Sequence, residues 1–537
     1  MTAIVSDKGN QLPADRVIVV GAGVAGLSAA LHLAERGLSP LVLEADPLYV
    51  GGRVAGGEVV ELDSGGQTWP FRGDHGVHAI WSPYRNLQAM LARHGIRPLF
   101  VPAQEEDWIQ KQGNWVRRAP VGNAIRHSWI PAPFHYLNLF LHPRFLGMLQ
   151  LDDFIGLLPV WEGLLWGLGV DPLGEGQPLE GLWLNDLVDG WSPALRSLFI
   201  GLTRNGLSAL PAEIPLSGFV AFLRFYTLLR RDAWAFSYLP ADGGTSLAEP
   251  LADRVRALGG RIEMGVRVAG LARAPGGWRI LTSSPQAEPV PSRSGEDPSV
   301  EGIEEGFLAR HLILATDSPN TETLLQASPD LSDAAQDLYW PRGMATAVVR
   351  IWFDRAPKRG AEAGIFSGDL ILDNFFWLHR IQDAYIRWHR ATGGSVVEGH
   401  IYGPPSVLQD PDALLMARAS VDVLSAFPEL RGYQIHQVLR RNDPTHTLFG
   451  LGPADRHLGI ESPWPGLFCC GDWVRHPSPA FFMERACVTG IKAANAVLRA
   501  RELAPWVLLE PLPPEPLAGW IEGLMRRGRR ALRKRRR

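Results

Sequence analysis

The sequence predicts an α/β protein built on an open, doubly wound, mainly parallel sheet, with a second α+β unit attached. Two stretches carry that expectation. Near the start, RVIVV (16–20), GAGVAG (21–26), LSAALHLAERG (27–37) and LVLE (41–44) read as buried strand, glycine turn, helix and second strand. Near the end, LFCC (467–470), Gly471-Asp472 and a stretch of helical period reaching residue 498 read as a further strand, turn and helix.

The first stretch has the chemistry of a dinucleotide site. Gly21 permits the tight turn, Gly23 lets the backbone approach a diphosphate, and Gly26 lets helix and strand pack closely. The unpaired N–H groups of the new helix face the diphosphate. Glu44 closes the second strand, where an acid accepts hydrogen bonds from an adenosine ribose. This spacing leaves nicotinamide and flavin dinucleotides both open. A second glycine turn follows: Gly51 and Gly52 can offer backbone N–H groups from another side, and Arg53 can pair with phosphate charge.

The remaining elements follow in order. Residues 74–95 read as a turn and a helix, with Ser82 as cap, Pro83 at the first position and Gly95 at the end. His75 and His78 precede it without the Cys or acid that would complete a metal set. Residues 128–170 are apolar and aromatic, yet charges interrupt them, which fits amphipathic helices rather than a spanning one. Residues 238–268 read as loop, helix and strand, with Leu247, Leu251, Val255 and Leu258 on one face. Residues 283–306, rich in Ser, Pro and Glu, read as a flexible hairpin insertion, and HLILAT (311–316) as the strand after it. At the C-terminal turn Asp472 can accept from a ribityl hydroxyl, Thr489-Gly490 permit close packing, and Ser478-Pro479 are expected to start the helix.

The arrangement of G-x-G-x-x-G, Glu44 and Gly-Gly-Arg resembles the flavoprotein superfamily of amine oxidases, protoporphyrinogen oxidases and carotenoid desaturases. The resemblance implies that the second glycine turn clamps FAD. It also implies an FAD-binding Rossmann-like unit assembled from residues 1–100, 236–320 and 455–502. A helical, membrane-facing region (101–235), a substrate sheet with antiparallel strands (321–454) and a basic tail (503–537) complete the chain. The same resemblance places Val268 against the adenine end through its backbone. Met483-Glu484-Arg485-Ala486, residues 370–402 and AFPEL (426–430) resemble the carotenoid desaturases, among them the isorenieratene synthases that form aromatic end groups. The implied reaction desaturates a carotenoid or related isoprenoid by hydride transfer to flavin. His75, His78, Glu484 or water would take the proton, and oxygen, a quinone or another acceptor the electrons.

The bulk numbers bound the partners. Net charge is −3 over 537 residues, which provides no field for recruiting nucleic acid. Nine Lys/Arg crowd residues 526–537. Leu517, Trp520, Ile521, Leu524, Met525 and Leu532 fall near one face of that helical tail, which suits a membrane surface. Cys469, Cys470 and Cys487 form no disulfide framework, and no signal peptide is apparent. The chain is therefore expected in the cytoplasm, peripherally bound to membrane. Two other readings stay open: an amine oxidase-like enzyme on a small polar substrate, and a non-catalytic flavoprotein that holds pigment.

Overall fold

The computed structural model describes residues 16–149, 151–175, 179–191, 193–283, 303–358 and 360–536. Its first sheet has five parallel strands, in the spatial order Arg261–Met264, Leu41–Glu44, Val17–Val20, His311–Leu314, Leu467–Cys469. Neighbours in space thus come from three separated parts of the chain. Val17 to Val20 are buried throughout, as a central strand covered on both faces requires.

Alternation along that strand decides what covers each face. Val17 and Val19 pack with the helices Val24–Ala34 and Phe482–Ala500. Ile18 and Val20 face the opposite way, onto Leu271, Trp278 and Ile280. That second face carries a three-stranded antiparallel sheet (Arg267–Ala274, Gly277–Ser283, Ile303–Ala309) and the helix Ser318–Gln326, rather than helices alone. The expected insertion joins two of these antiparallel strands; its residues 284–302 lie outside the described residues.

The second unit is a seven-stranded sheet in the order Gln434–Thr447, Gly343–Phe353, Ser395–Ile401, Asn374–Trp377, Ala363–Gly368, Glu106–Gln112, Trp115–Pro120. All neighbours are antiparallel except Ala363–Gly368 with Glu106–Gln112. The region expected to be helical, 101–235, therefore opens with a hairpin that extends this sheet. Trp108 and Ile109 are both buried there, so the strand has covered faces on both sides.

Helices Leu151–Leu168, Pro193–Leu207 and Leu216–Leu223 form the cap. Among the described residues no helix is long and apolar enough to cross a membrane. The C-terminal segment is not a loose tail. Pro516–Arg536 is a helix lying beside Leu151–Leu168, with Leu517, Ile521 and Met525 packed inward and a buried ion pair from Glu522 to Arg224 at 2.6 Å. The apolar face expected to be continuous is split: Trp520, Leu524 and Leu532 remain exposed.

Candidate functional site

Contact distances dictate the first glycine turn. Gly21 has φ +101°, and a Cβ on Gly26 would sit 1.9 Å from the Gly21 carbonyl oxygen. The opening helix can therefore start directly beneath the strand end, with Gly23 at its N-cap. Glu44 accepts the Ala22 N–H at 2.7 Å and the Asp46 N–H at 2.9 Å. Burial raises its pKa, against the lowering effect of those two bonds. The second turn lies against the first: Gly51 N–H donates to the Ala22 carbonyl at 2.9 Å, and a Cβ on Gly52 would lie 3.5 Å from the Gly23 Cα. Two bare glycine backbones thus face one another beside a carboxylate, a cradle that suits a dinucleotide diphosphate and ribose.

Arg53, expected to meet phosphate, is ion-paired with Asp472 at 2.7 Å, and Asp472 also accepts the Thr447 hydroxyl at 2.9 Å. Burial pushes the Asp472 pKa up, but the charge and hydrogen bond of Arg53, the Thr447 hydroxyl and His446 together outweigh it and hold the carboxyl below its ordinary range. Gly471 has φ +142°, and its N–H donates to the Thr489 hydroxyl at 3.0 Å. Thr489 therefore braces the turn and does not line the cavity. The helix after this turn begins at Phe482, not at Ser478-Pro479, because Arg485 binds the carbonyls of Val474, His476 and Ser478 and holds that segment as a loop.

One cavity of about 1070 Å³ takes in both glycine turns, Glu44, Val268 and Asp472. The same cavity is walled by Trp81, Tyr226, Trp234, Phe236 and Phe376. These rings support one another: the Trp81 centroid is 4.3 Å from Phe236, 4.9 Å from Tyr226 and 5.1 Å from Trp234. The cradle and an aromatic compartment are thus parts of one space.

The three expected proton acceptors separate. Glu484 does not line the cavity. Its carboxylate accepts the N–H groups of Asn86 and Leu87 and the Asn86 amide, each at 2.9 Å, and so caps the helix Arg85–Arg93. That long-range cap replaces the expected local one from Ser82. His75 lines the cavity with Arg440 at 3.3 Å; burial and then that cation lower its pKa to about 3. His78 lies 3.5 Å from Asp74; burial lowers its pKa, but Asp74, Glu398 and the Arg53 backbone together outweigh burial and raise it.

Sequence reasoning missed a second polar group on the cavity wall, His400 and Tyr402 with Glu398 behind them. The signal was Glu-Gly-His-Ile-Tyr, 398–402, in which alternate residues share one face of a strand.

Residues 19–94 match the model of the NAD(P)-binding Rossmann-like domain, and residues 195–498 that of the flavin containing amine oxidoreductases. The chain belongs to the flavin-containing amine oxidoreductase family. This flavoenzyme is 24% identical to a carotenoid phi-ring synthase of Chlorobaculum tepidum, over 94% of this chain and 91% of that one. It is 28% identical to a carotenoid phi-ring synthase of Streptomyces griseus, over 90% and 88% of the two chains. A 15-cis-phytoene desaturase of Arabidopsis thaliana is 24% identical over 47% of this chain and 42% of its own. Among solved structures, the cyclohexylamine oxidase of Brevibacterium oxydans superposes with a TM-score of 0.59 at 17% identity, covering 91% of this chain and all of that one. A putrescine oxidase bound to putrescine superposes with a TM-score of 0.60 at 14% identity, over 90% and 99%. These likenesses establish the fold: a parallel Rossmann-like sheet from separated segments beside a mixed sheet.

Proposed function

We propose that this oxidoreductase uses FAD to desaturate a carotenoid or related isoprenoid, with a ring end group as the preferred target. The observation that carries the proposal is the single cavity that joins the dinucleotide cradle to an aromatic compartment. The phi-ring synthases that align over nine-tenths of the chain favour the ring.

Bound FAD supplies the two-electron acceptor that takes a hydride. The chain's own residues supply the rest. Gly21, Gly23 and Gly52 expose backbone for the diphosphate, and Glu44 accepts from ribose hydroxyls. Val268 lines the adenine end, and Asp472, held ionised by Arg53, offers an acceptor at the ribityl end. Trp81, Trp234 and Phe236 exclude water and hold a flat polyene by its face.

The substrate's solubility calls for a membrane. Leu151 and Ile155 on the cap are 86% and 75% exposed, and Trp520 on the adjoining C-terminal helix is 62% exposed. Arginines 526, 527, 529 and 530 follow Trp520 along the same helix. Apolar side chains next to a basic stretch suit an anionic lipid surface.

Expression in carotene-producing cells, with extracted pigments resolved by chromatography and mass, tests the reading. Loss of hydrogens in pairs is expected, with an absorption maximum diagnostic of ring or chain chemistry. An unchanged pigment profile from cells whose purified protein carries FAD would overturn it. Peroxide release with amines would instead favour an amine oxidase, the chemistry of the solved relatives.

A further inference from the structure

The strand Ser395–Ile401 and the residue after it carry a linked set of polar groups on the cavity side. Glu398 is fully buried, and its Oε2 accepts the Arg350 Nε–H at 2.5 Å. Burial raises the Glu398 pKa, but Arg350 and then His400 outweigh it and hold the carboxyl at about 2. An ionised carboxylate only accepts, so His400 Nε2, 2.8 Å from Glu398 Oε1, carries a proton. Arg350 already balances the Glu398 charge, so the Nε2–H tautomer satisfies the pair without a second proton on the ring. His400 Nδ1 therefore presents a lone pair, and the Tyr402 hydroxyl, 2.8 Å away, donates to it. This is the acid–histidine–hydroxyl order, in which a buried carboxylate fixes a tautomer and the ring can take the hydroxyl's proton; burial raises the Tyr402 pKa, so the hydroxyl keeps its proton until it receives another.

Polar and apolar groups both face the pair: the Tyr402 N–H donates to the Asp373 carboxylate at 2.6 Å, and that acid and Glu398 both act on the Tyr402 hydroxyl. Phe376 on the neighbouring strand lies 5.3 Å from the His400 ring at a tilt of 41°, and the Gly76 backbone approaches so closely that a Cβ there would lie 3.0 Å from His400 Cε1. Asn374 reaches the Tyr402 oxygen at 3.4 Å. His400 and Tyr402 both line the cavity, with Phe376 between them and the aromatic compartment's Tyr238.

We propose that Tyr402 and His400 are the proton-accepting pair of this cavity. The proposal rests on the oxidoreductase reading above. After a hydride has left the substrate to the flavin-class oxidant, a neighbouring C–H bond breaks and its electron pair forms the new C=C bond. The proton forms an O–H bond on Tyr402, whose own proton forms an N–H bond on His400 Nδ1. The resulting imidazolium faces the Glu398 carboxylate. Other histidines of the cavity lack this arrangement. A proton on His75 would meet the Arg440 cation, His78 lies against the Asp74 carboxylate at 3.5 Å, and His446 lies near Arg53.

Two measurements on the FAD-loaded full chain test the pair. The first needs no substrate: nitrogen NMR of histidine-labelled protein, with the His400 signals assigned by His400→Gln. An unprotonated Nδ1 at neutral pH, shifted by Tyr402→Phe, is expected. An imidazolium at neutral pH overturns the proposal whatever the substrate is. The second is anaerobic flavin bleaching by carotene. Tyr402→Phe and His400→Gln are each expected to slow bleaching about a hundredfold or more, with FAD content and pigment affinity unchanged, and His400→Gln to abolish the ionisation in the pH–rate profile. Wild-type rates in both variants overturn the pair. Failure of every carotene to bleach wild-type flavin defeats the substrate reading instead, and the tautomer measurement still decides the pair.

Discussion

A methyl group on Gly26 would fall 1.9 Å from the Gly21 carbonyl oxygen, and Gly21 is itself tied by its N–H to the Leu43 carbonyl at 2.8 Å. Gly26→Ala is therefore expected to yield protein that retains little flavin, read as the cofactor absorbance of the purified chain. Glu484 makes a contrasting prediction. It holds the start of the Arg85–Arg93 helix and touches no part of the cavity. Glu484→Gln should lower stability by about 2 kcal/mol in chemical denaturation while leaving the rate per folded, flavin-loaded molecule unchanged. A hundredfold rate loss at unchanged stability would return Glu484 to the chemistry. Glu398 has a folded pKa depressed from the ordinary 4.5 to about 2, so its contribution is complete above 4.5 and fades as pH falls toward 2. Glu398→Gln should flatten the acid limb of the denaturation midpoint in that window, and an unaltered slope would show that the Arg350 pair does not form.

At the level of elements, the opening and closing helices meet where neither has a side chain in the way. A Cβ on Gly490 would come 2.4 Å from the Ala25 carbonyl. Gly490→Val must separate the helices Val24–Ala34 and Phe482–Ala500, and with them the Gly21 and Gly471 turns that border the cavity. A stability loss of about 3 kcal/mol with weakened flavin retention is expected, measured by thermal melting and cofactor titration. The Gly-x-Gly-x-x-Gly turn and the parallel strands were legible in sequence because their constraints are local. The start of the closing helix was not, because Arg485 keeps residues 474–480 out of it by binding their carbonyls. Likewise the Arg85–Arg93 helix takes its cap from a residue 398 positions away, which no local pattern signals.

Across the whole molecule, the two sides of the helix Pro516–Arg536 have different surroundings. Leu517, Ile521 and Met525 seal the cap, while Trp520 and Leu524 stay outside. Trp520→Glu with Leu524→Glu should cut co-sedimentation with anionic vesicles about tenfold without changing the melting temperature. Removal of residues 516–537 should instead destabilise the cap, because it uncovers the inward side chains and leaves Arg224 without Glu522. Unchanged vesicle binding by the double variant would remove this face from the proposed membrane contact.

Sequence alone determined the parallel strands, the two glycine turns, the acid at Glu44 and the family, because backbone geometry at a diphosphate demands particular residues at particular spacings. It also supplied Gly471 and Asp472 as a second border of the site. Tertiary structure decided the pairings. Arg53 meets Asp472, Glu484 caps a distant helix, and His400 and Tyr402 reach the cavity wall with Glu398 behind them. The physical reason is range: a turn is set by neighbours along the chain, whereas the state of a buried charge is set by whichever partner the fold brings within hydrogen-bonding distance.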